Sequence, residues 1–296
     1  MKHAIIIFVH RDPEQINMFL EQLLKSTRMD IYIHINKKVD NLRDLLLKDD
    51  RIVVSKKNIT ITWGNDDIVN AMIVMMREVM TSGKKYGQIL INTGQDLLIK
   101  NGLEDYLDNN LEHVYIEGYE QDARRRAFLL HKWPAKYRQL IDSKLRLTKI
   151  MRRLLLELYS RGLLLNMKKV RFDTNSIVFY RSWFWGAIPS VVVEYILDFI
   201  EKNQGFMDIY QDALVPEEGF IATIVMMSPY KDWIKFNNKG HSDSLTAVLN
   251  RSNGHPLVIT KNDISELEAS KFYFARKFDK SKDAEVVEYY CKKILV

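Results

Sequence analysis

Two short stretches hold residues that could do chemistry together. Pro216-Glu217-Glu218-Gly219-Phe220-Ile221-Ala222-Thr223 puts carboxylates at the start of an expected helix. About fifty-five residues later, Phe274-Ala275-Arg276-Lys277-Phe278-Asp279 puts two adjacent cations on an aromatic-flanked strand or turn. A carboxylate can take the proton of an attacking hydroxyl, and fixed cations can hold a diphosphate as it leaves. A base positioned in this way is worth about 10² to 10⁴ in rate. A plainer reading has Glu217 and Glu218 only decorating a helix N-terminus, where carboxylates are favoured electrostatically. Arg276 offers bidentate geometry and Lys277 a compact charge. On a strand they point to opposite faces, so one of the two is expected to reach the phosphates.

Other chemistries find less support in the chain. It contains no Asp-x-Asp motif and no histidine pair four residues apart, so no resident metal or cofactor is expected and cations must stabilise the leaving group. It also lacks a Gly-x-Ser-x-Gly elbow, a Walker loop and a Rossmann fingerprint.

Those residues need a scaffold, and 296 residues with 47% hydrophobic and 28% charged content suffice for a full core. One domain over 1–296 is expected, in three stretches: 1–120, a basic segment (132–171) and 172–296. The single cysteine, Cys291, cannot form an internal disulfide and reads as an idle thiol in a reducing compartment. The apolar run Ala4–Val9 reads as a first strand rather than a signal peptide, and no run is long enough to span a bilayer. The expected location is cytoplasmic.

Short β-rich runs alternate with helical patterns, which predicts an α/β fold on a Rossmann-like, mostly parallel sheet. Expected strands are Ala4–Val9, Ile31–Ile35, Arg51–Val54, Ile59–Thr62, Gln88–Ile91, His113–Ile116 and Asn175–Tyr180. Expected helices are one opening at Pro13, Asp67–Met80, Pro189–Gln204 and Asp283–Ile294. The methionines of Asp67–Met80 read as core filler. In open α/β sheets ligands lie beyond the carboxyl ends of strands. His10, His34-Ile35-Asn36, Thr62-Trp63-Gly64, Thr93-Gly94-Gln95-Asp96 and Glu117 are expected at such ends, on one rim. Trp183 and Trp185 can be core, or can stack on the apolar faces of a sugar.

The charge is local. The net charge is +6, and Lys132 to Arg171 holds twelve Lys or Arg against two acids. Within it, Lys144–Lys169 reads as a cationic amphipathic helix with Leu147, Ile150, Met151, Leu154, Leu155 and Leu158 on one stripe. It is either a core helix with a solvated face or a segment that docks on an anionic membrane. Aromatic residues there are few, so no nucleic-acid partner is expected. The rival from another class is a non-catalytic module that binds polyanions through 132–171.

The ordered set of His10-Arg11-Asp12, Tyr32 to Lys38, Ile61-Thr62-Trp63-Gly64, Asn92 to Asp96, Ser182 to Trp185, Pro216-Glu217-Glu218 and Phe274 to Asp279 resembles a known family. It is similar to the core-2/I-branching β-1,6-N-acetylglucosaminyltransferases and the peptide O-xylosyltransferases, over nearly the whole chain. The resemblance implies an A-type nucleotide-diphospho-sugar transferase fold and an inverting, metal-independent mechanism in a prokaryote-like member. It implies Glu218 as base and Lys277 on the donor diphosphate. His10, His34, Asn36, Lys37 and Gly64 would lie about the nucleotide, and Glu117, Thr93, Gly94, Asp96 and Trp185 about the sugars. Asn36 stands where the family has Asp. No clean equivalent of its second diphosphate arginine is present, so Arg276 or Arg251 would substitute. The implied donor is UDP-N-acetylglucosamine, with UDP-xylose or another UDP-hexose as alternatives. The implied acceptor is a saccharide or lipid-linked oligosaccharide in surface polysaccharide synthesis, reached from the inner face of the membrane.

Overall fold

A computed structural model of the chain describes residues 1–120, 123–133, 145–161, 163, 168–252 and 255–294. Strands β1 (His3–Val9), β2 (Met29–Ile35), β3 (Ile52–Val54), β4 (Gln88–Thr93), β6 (Tyr115–Glu120) and β7 (Tyr180–Pro189) form a six-stranded sheet in the order β3-β2-β1-β4-β7-β6. Strands β5 (Leu97–Leu98), β8 (Thr246–Val248) and β11 (Phe274–Arg276) form a three-stranded sheet. The pair β9 (Asn250–Ser252) and β10 (His255–Pro256) stands by itself.

Alternation along β1 builds two cores. Ala4, Ile6 and Phe8 face a layer containing the helices Asp67–Met80 and Ser190–Lys202. Ile5, Ile7 and Val9 face the opposite layer, with Pro13–Leu24 and the C-terminal helix Ala284–Lys293. Strands buried on both faces carry continuous apolar runs, which is why Ala4–Val9 shows no alternation in sequence. The helix after β1 starts where Asp12 caps Gln15 and Pro13 supplies a helical φ. Asp283 caps the last helix in the same way through the Val286 N–H.

Several expected elements shift. The sheet is mixed: β3, β2, β1, β4 and β6 run in one direction, as a mostly parallel sheet requires, and β7 is reversed between β4 and β6. Hydrophobic pattern marks a buried strand but not its direction. The segment Ile59–Thr62 is not a strand: side chains take over much of the ladder. His34 Nε2 accepts from Ile59 N (3.1 Å), and Asn36 bonds both Ile61 N (3.3 Å) and Ile61 O (2.8 Å). Asn175–Tyr180 is not the strand either. Pairing begins at Tyr180 and runs through the tryptophan motif to Pro189, with the helix following at Ser190–Lys202. The sixth strand of the chain starts at Tyr115, not His113, and continues to Glu120, which leaves Glu117 within it rather than beyond its end.

Parallel register aligns Phe8 with both His34 and Thr93. The ends of β1, β2 and β4, with His10, Asn36 and the Thr93–Asp96 turn, therefore share one rim.

Candidate functional site

Two clusters of charge meet at that rim. The first lies where β11 passes the end of β1. Its two cations part company: Arg276 is the last residue of β11, and Lys277 lies just beyond the strand's end. Arg276 turns inward: its guanidinium stacks 3.8 Å from the Trp185 ring centre, and its Nε lies 3.3 Å from Asp96 Oδ1. Asp96 is fully buried and accepts from Thr93 N (2.7 Å), Thr93 Oγ1 (2.9 Å) and Asn92 Nδ2 (3.2 Å). Burial pushes the Asp96 pKa up, opposed chiefly by Arg276. Thr93, Asp96 and Trp185, expected about the sugars, and Arg276, expected on the diphosphate, thus form one internal network. Gly94 serves the same turn, since a Cβ there would meet Ile16 Cγ1 at 2.9 Å.

Lys277 is left half-buried at the rim. Its backbone is pinned where Ile259 N donates to Lys277 O (2.8 Å), Phe278 N donates to Gln95 O (2.9 Å), and Gln15 Nε2 donates to Phe278 O (3.0 Å). Burial lowers the Lys277 pKa, and so do Arg11 and Arg276. His10 is reached by solvent yet crowded by protein; that crowding, then Arg11, Lys277 and Arg276, lower its pKa below 6.5. Arg11 and Lys277 therefore form a positive corner beside His10, an arrangement that a bound polyanion relieves. Arg11, 3.9 Å from Asp279, is the cation missed as a site residue in the sequence, although it lies inside the His10-Arg11-Asp12 motif.

The second cluster is carboxylate-rich. Pro216–Glu218 forms one 3-10 turn, entered through Val215 with φ 51°. A β-branched residue in the left-handed region is costly, of order 1–3 kcal/mol, and persists where its surroundings over-determine it. Here Val215 N donates to Gly64 O (3.0 Å), and Gly64 itself has φ 74°. Gly64 thus holds the Glu218 turn by its carbonyl.

Arg181 grips Glu218 Oε2 from Nε (3.0 Å) and Nη2 (2.9 Å) and donates from Nη1 to the Tyr119 hydroxyl (2.6 Å). Its guanidinium also lies over the rings of Trp183 (5.5 Å) and Tyr119 (5.7 Å). Glu117 joins the same group. Burial raises its pKa and Asp243 adds to that, while a hydrogen bond from Trp183 and the charges of His241 and Arg181 oppose it. The β6–β7 register breaks between Ile116 and Gly118, so Trp183, Phe184 and Trp185 oppose Glu117 alone. Such bulges re-aim side chains beside sites. Trp183 is the ring the sequence offered as core or sugar platform, whereas Arg181 and Tyr119 were not singled out; the position of Arg181 directly before Ser182-Trp183 was the available signal.

The tryptophans join the clusters. From Arg276 to Trp185 is 3.8 Å, Trp185 to Trp183 is 6.1 Å between centroids, Trp183 to Arg181 is 5.5 Å, and Arg181 reaches Glu218 at 3.0 Å. Trp185 is 6% exposed and covered by Arg276, so Trp183 is the ring better able to meet a sugar. His34 is fully buried with its Nε2 on Ile59 N, and burial pushes its pKa down to about 4. Asn36 is spent on the Ile59–Thr62 segment, whereas Lys37 is exposed beside it. Arg251 lies in β9, but its side chain lies outside the described residues. Among the described residues no group of three or more His, Cys, Asp or Glu could hold a metal ion.

No protein-family model matches the chain, and no curated protein matches it.

Proposed function

We propose that the chain is an inverting glycosyltransferase that uses a UDP-sugar, with UDP-N-acetylglucosamine the foremost donor, and a saccharide hydroxyl as acceptor. The A-type transferase fold belongs to this reading. The mixed six-stranded sheet flanked by helices is compatible with it. The observation that carries the proposal is a carboxylate turn linked by a continuous run of contacts, Glu218 to Arg181, Trp183, Trp185 and Arg276, to the residue directly before the half-buried cation Lys277.

In the reaction Glu218 takes the proton of the acceptor hydroxyl as that oxygen bonds to the anomeric carbon. Arg181 fixes the carboxylate through Oε2, so the base is oriented before substrate arrives. The bond from the anomeric carbon to the diphosphate oxygen breaks on the opposite face, and UDP leaves with the electron pair. Lys277 and Arg11 hold its charge, which grows as the bond lengthens. Trp183 supports the sugar, and Glu117 bonds an acceptor hydroxyl. Arg276 acts at one remove by bracing the Lys277 strand against Trp185 and Asp96.

Glu218→Gln keeps shape and removes the base. It is expected to lower transfer by at least about 10²-fold while UDP affinity stays as in the wild type. Transfer equal to wild type in Glu218→Gln would remove the base assignment and with it this reading.

A further inference from the structure

The helix Arg146–Ser160 does not bury its apolar stripe. Leu155 on its inner side packs against the cluster of Trp133 and Leu214, with Phe128 and Val215. Leu147, Ile150, Met151 and Leu154, spaced three and four apart, point outward and are 51–71% exposed. Exposed Arg146, Lys149 and Arg153 lie alongside. A core helix would bury such a stripe, and contiguous exposed apolar surface marks an interaction site.

We infer that this face docks the protein on an anionic lipid bilayer, with the leucine stripe entering the interface and the flanking cations meeting lipid phosphates. The charges select this occupant. A second copy across a two-fold axis would set cations against cations, since an isologous contact repeats the same patch on both sides. Nucleic acid would leave the aliphatic stripe without a partner, because base stacking uses aromatic rings. An amphipathic helix on anionic lipid satisfies both halves of the face. Leu155 of this helix packs on the same Trp133–Leu214 cluster as Val215, and Val215 directly precedes the Glu218 turn. Docking therefore brings the candidate base close to the membrane, so the acceptor would be a hydroxyl held on a lipid carrier. That extension rests on the transferase reading; the docking does not.

The test is co-sedimentation of the whole chain with vesicles of phosphatidylcholine alone and of phosphatidylcholine with phosphatidylglycerol. Binding is expected only to the anionic vesicles, weakening as salt rises. Lys149→Glu/Arg153→Glu and Ile150→Ser/Leu154→Ser should each lower it by about tenfold or more. Both pairs are exposed, and far-ultraviolet circular dichroism checks their folding. Leu154→Trp supplies a readout independent of those variants, its added emission shifting to the blue on anionic vesicles. Equal binding to neutral vesicles, no binding, or unchanged binding by both double variants would overturn the proposal. So would a dimer in sedimentation velocity that Leu154→Ser dissolves, which would assign the face to a second copy. UDP affinity measured without vesicles separates failure of docking from failure of the transferase reading.

Discussion

Arg276 and Lys277 are neighbours with divided roles, and the division is measurable. Arg276→Met removes the guanidinium from a site where its side chain is 12% exposed and that of its partner Asp96 is 0%. Breaking a buried ion pair from one side costs about 3–5 kcal/mol, because the other charge is stranded. Asp96 keeps its bonds to Thr93 and Asn92, and burial already raises its pKa, so part of the strain is relieved by protonation. About 3 kcal/mol is therefore expected, or roughly 6–12 °C in melting temperature for a domain of about this size. Asp96→Asn added to Arg276→Met removes the stranded charge and should recover more than about half of the loss. Lys277→Ala takes away a half-buried lysine with no such partner and should change stability by less than about 1 kcal/mol, yet weaken UDP binding about tenfold or more. Urea unfolding and UDP calorimetry on the same four proteins decide the matter. An Arg276→Met protein of wild-type stability that no longer binds UDP would refute the reasoning and make Arg276 the phosphate contact.

Two further outcomes follow from local geometry. Gly94→Ala sets a Cβ against Ile16 Cγ1 and 3.2 Å from Val9 Cγ1, in a packed layer. A loss of about 1–3 kcal/mol is expected, and an unchanged melting temperature would mean that the turn gives way freely. His34 is neutral in the fold, with its pKa pushed from 6.5 down to about 4. The unfolded chain takes up the proton first, so this contribution is complete above about pH 6.5 and is lost as pH falls through about 4. At about 1.4 kcal/mol per pH unit the window amounts to roughly 3 kcal/mol. His34→Gln should flatten the acid limb of stability against pH, read from urea midpoints; an unchanged limb would assign acid sensitivity elsewhere.

The elements most legible in the sequence were those whose own residues determine them. Ala4–Val9 and Asp67–Met80 declare themselves by burial pattern, and Asp12-Pro13 and Asp283 by capping chemistry. The strand expected at Asn175–Tyr180 was misplaced, because β4 and β6, the partners of β7, lie about sixty to a hundred residues away and register across such a gap leaves no local trace. Ile59–Thr62 has strand-like residues, yet His34 and Asn36 side chains occupy the bonds a ladder would use. The candidate site divides the same way. Glu218 and Lys277 stand out as charges on turns beside apolar runs. Arg181 and Arg11 gain meaning only when the fold brings them to Glu218 and to Lys277. Asp96, Thr93 and Trp185 have the residue types of a ligand contact, but their spacing in sequence hides that Arg276 occupies them.

The most direct test of the central claim is calorimetric titration of UDP into the purified chain in EDTA, repeated with Mn²⁺. Micromolar binding is expected, left intact by EDTA and weakened by Lys277→Ala and by Arg11→Ala. Absence of UDP binding in both conditions would contradict the donor site altogether, and binding that appears only with Mn²⁺ would contradict the cationic hold on the diphosphate.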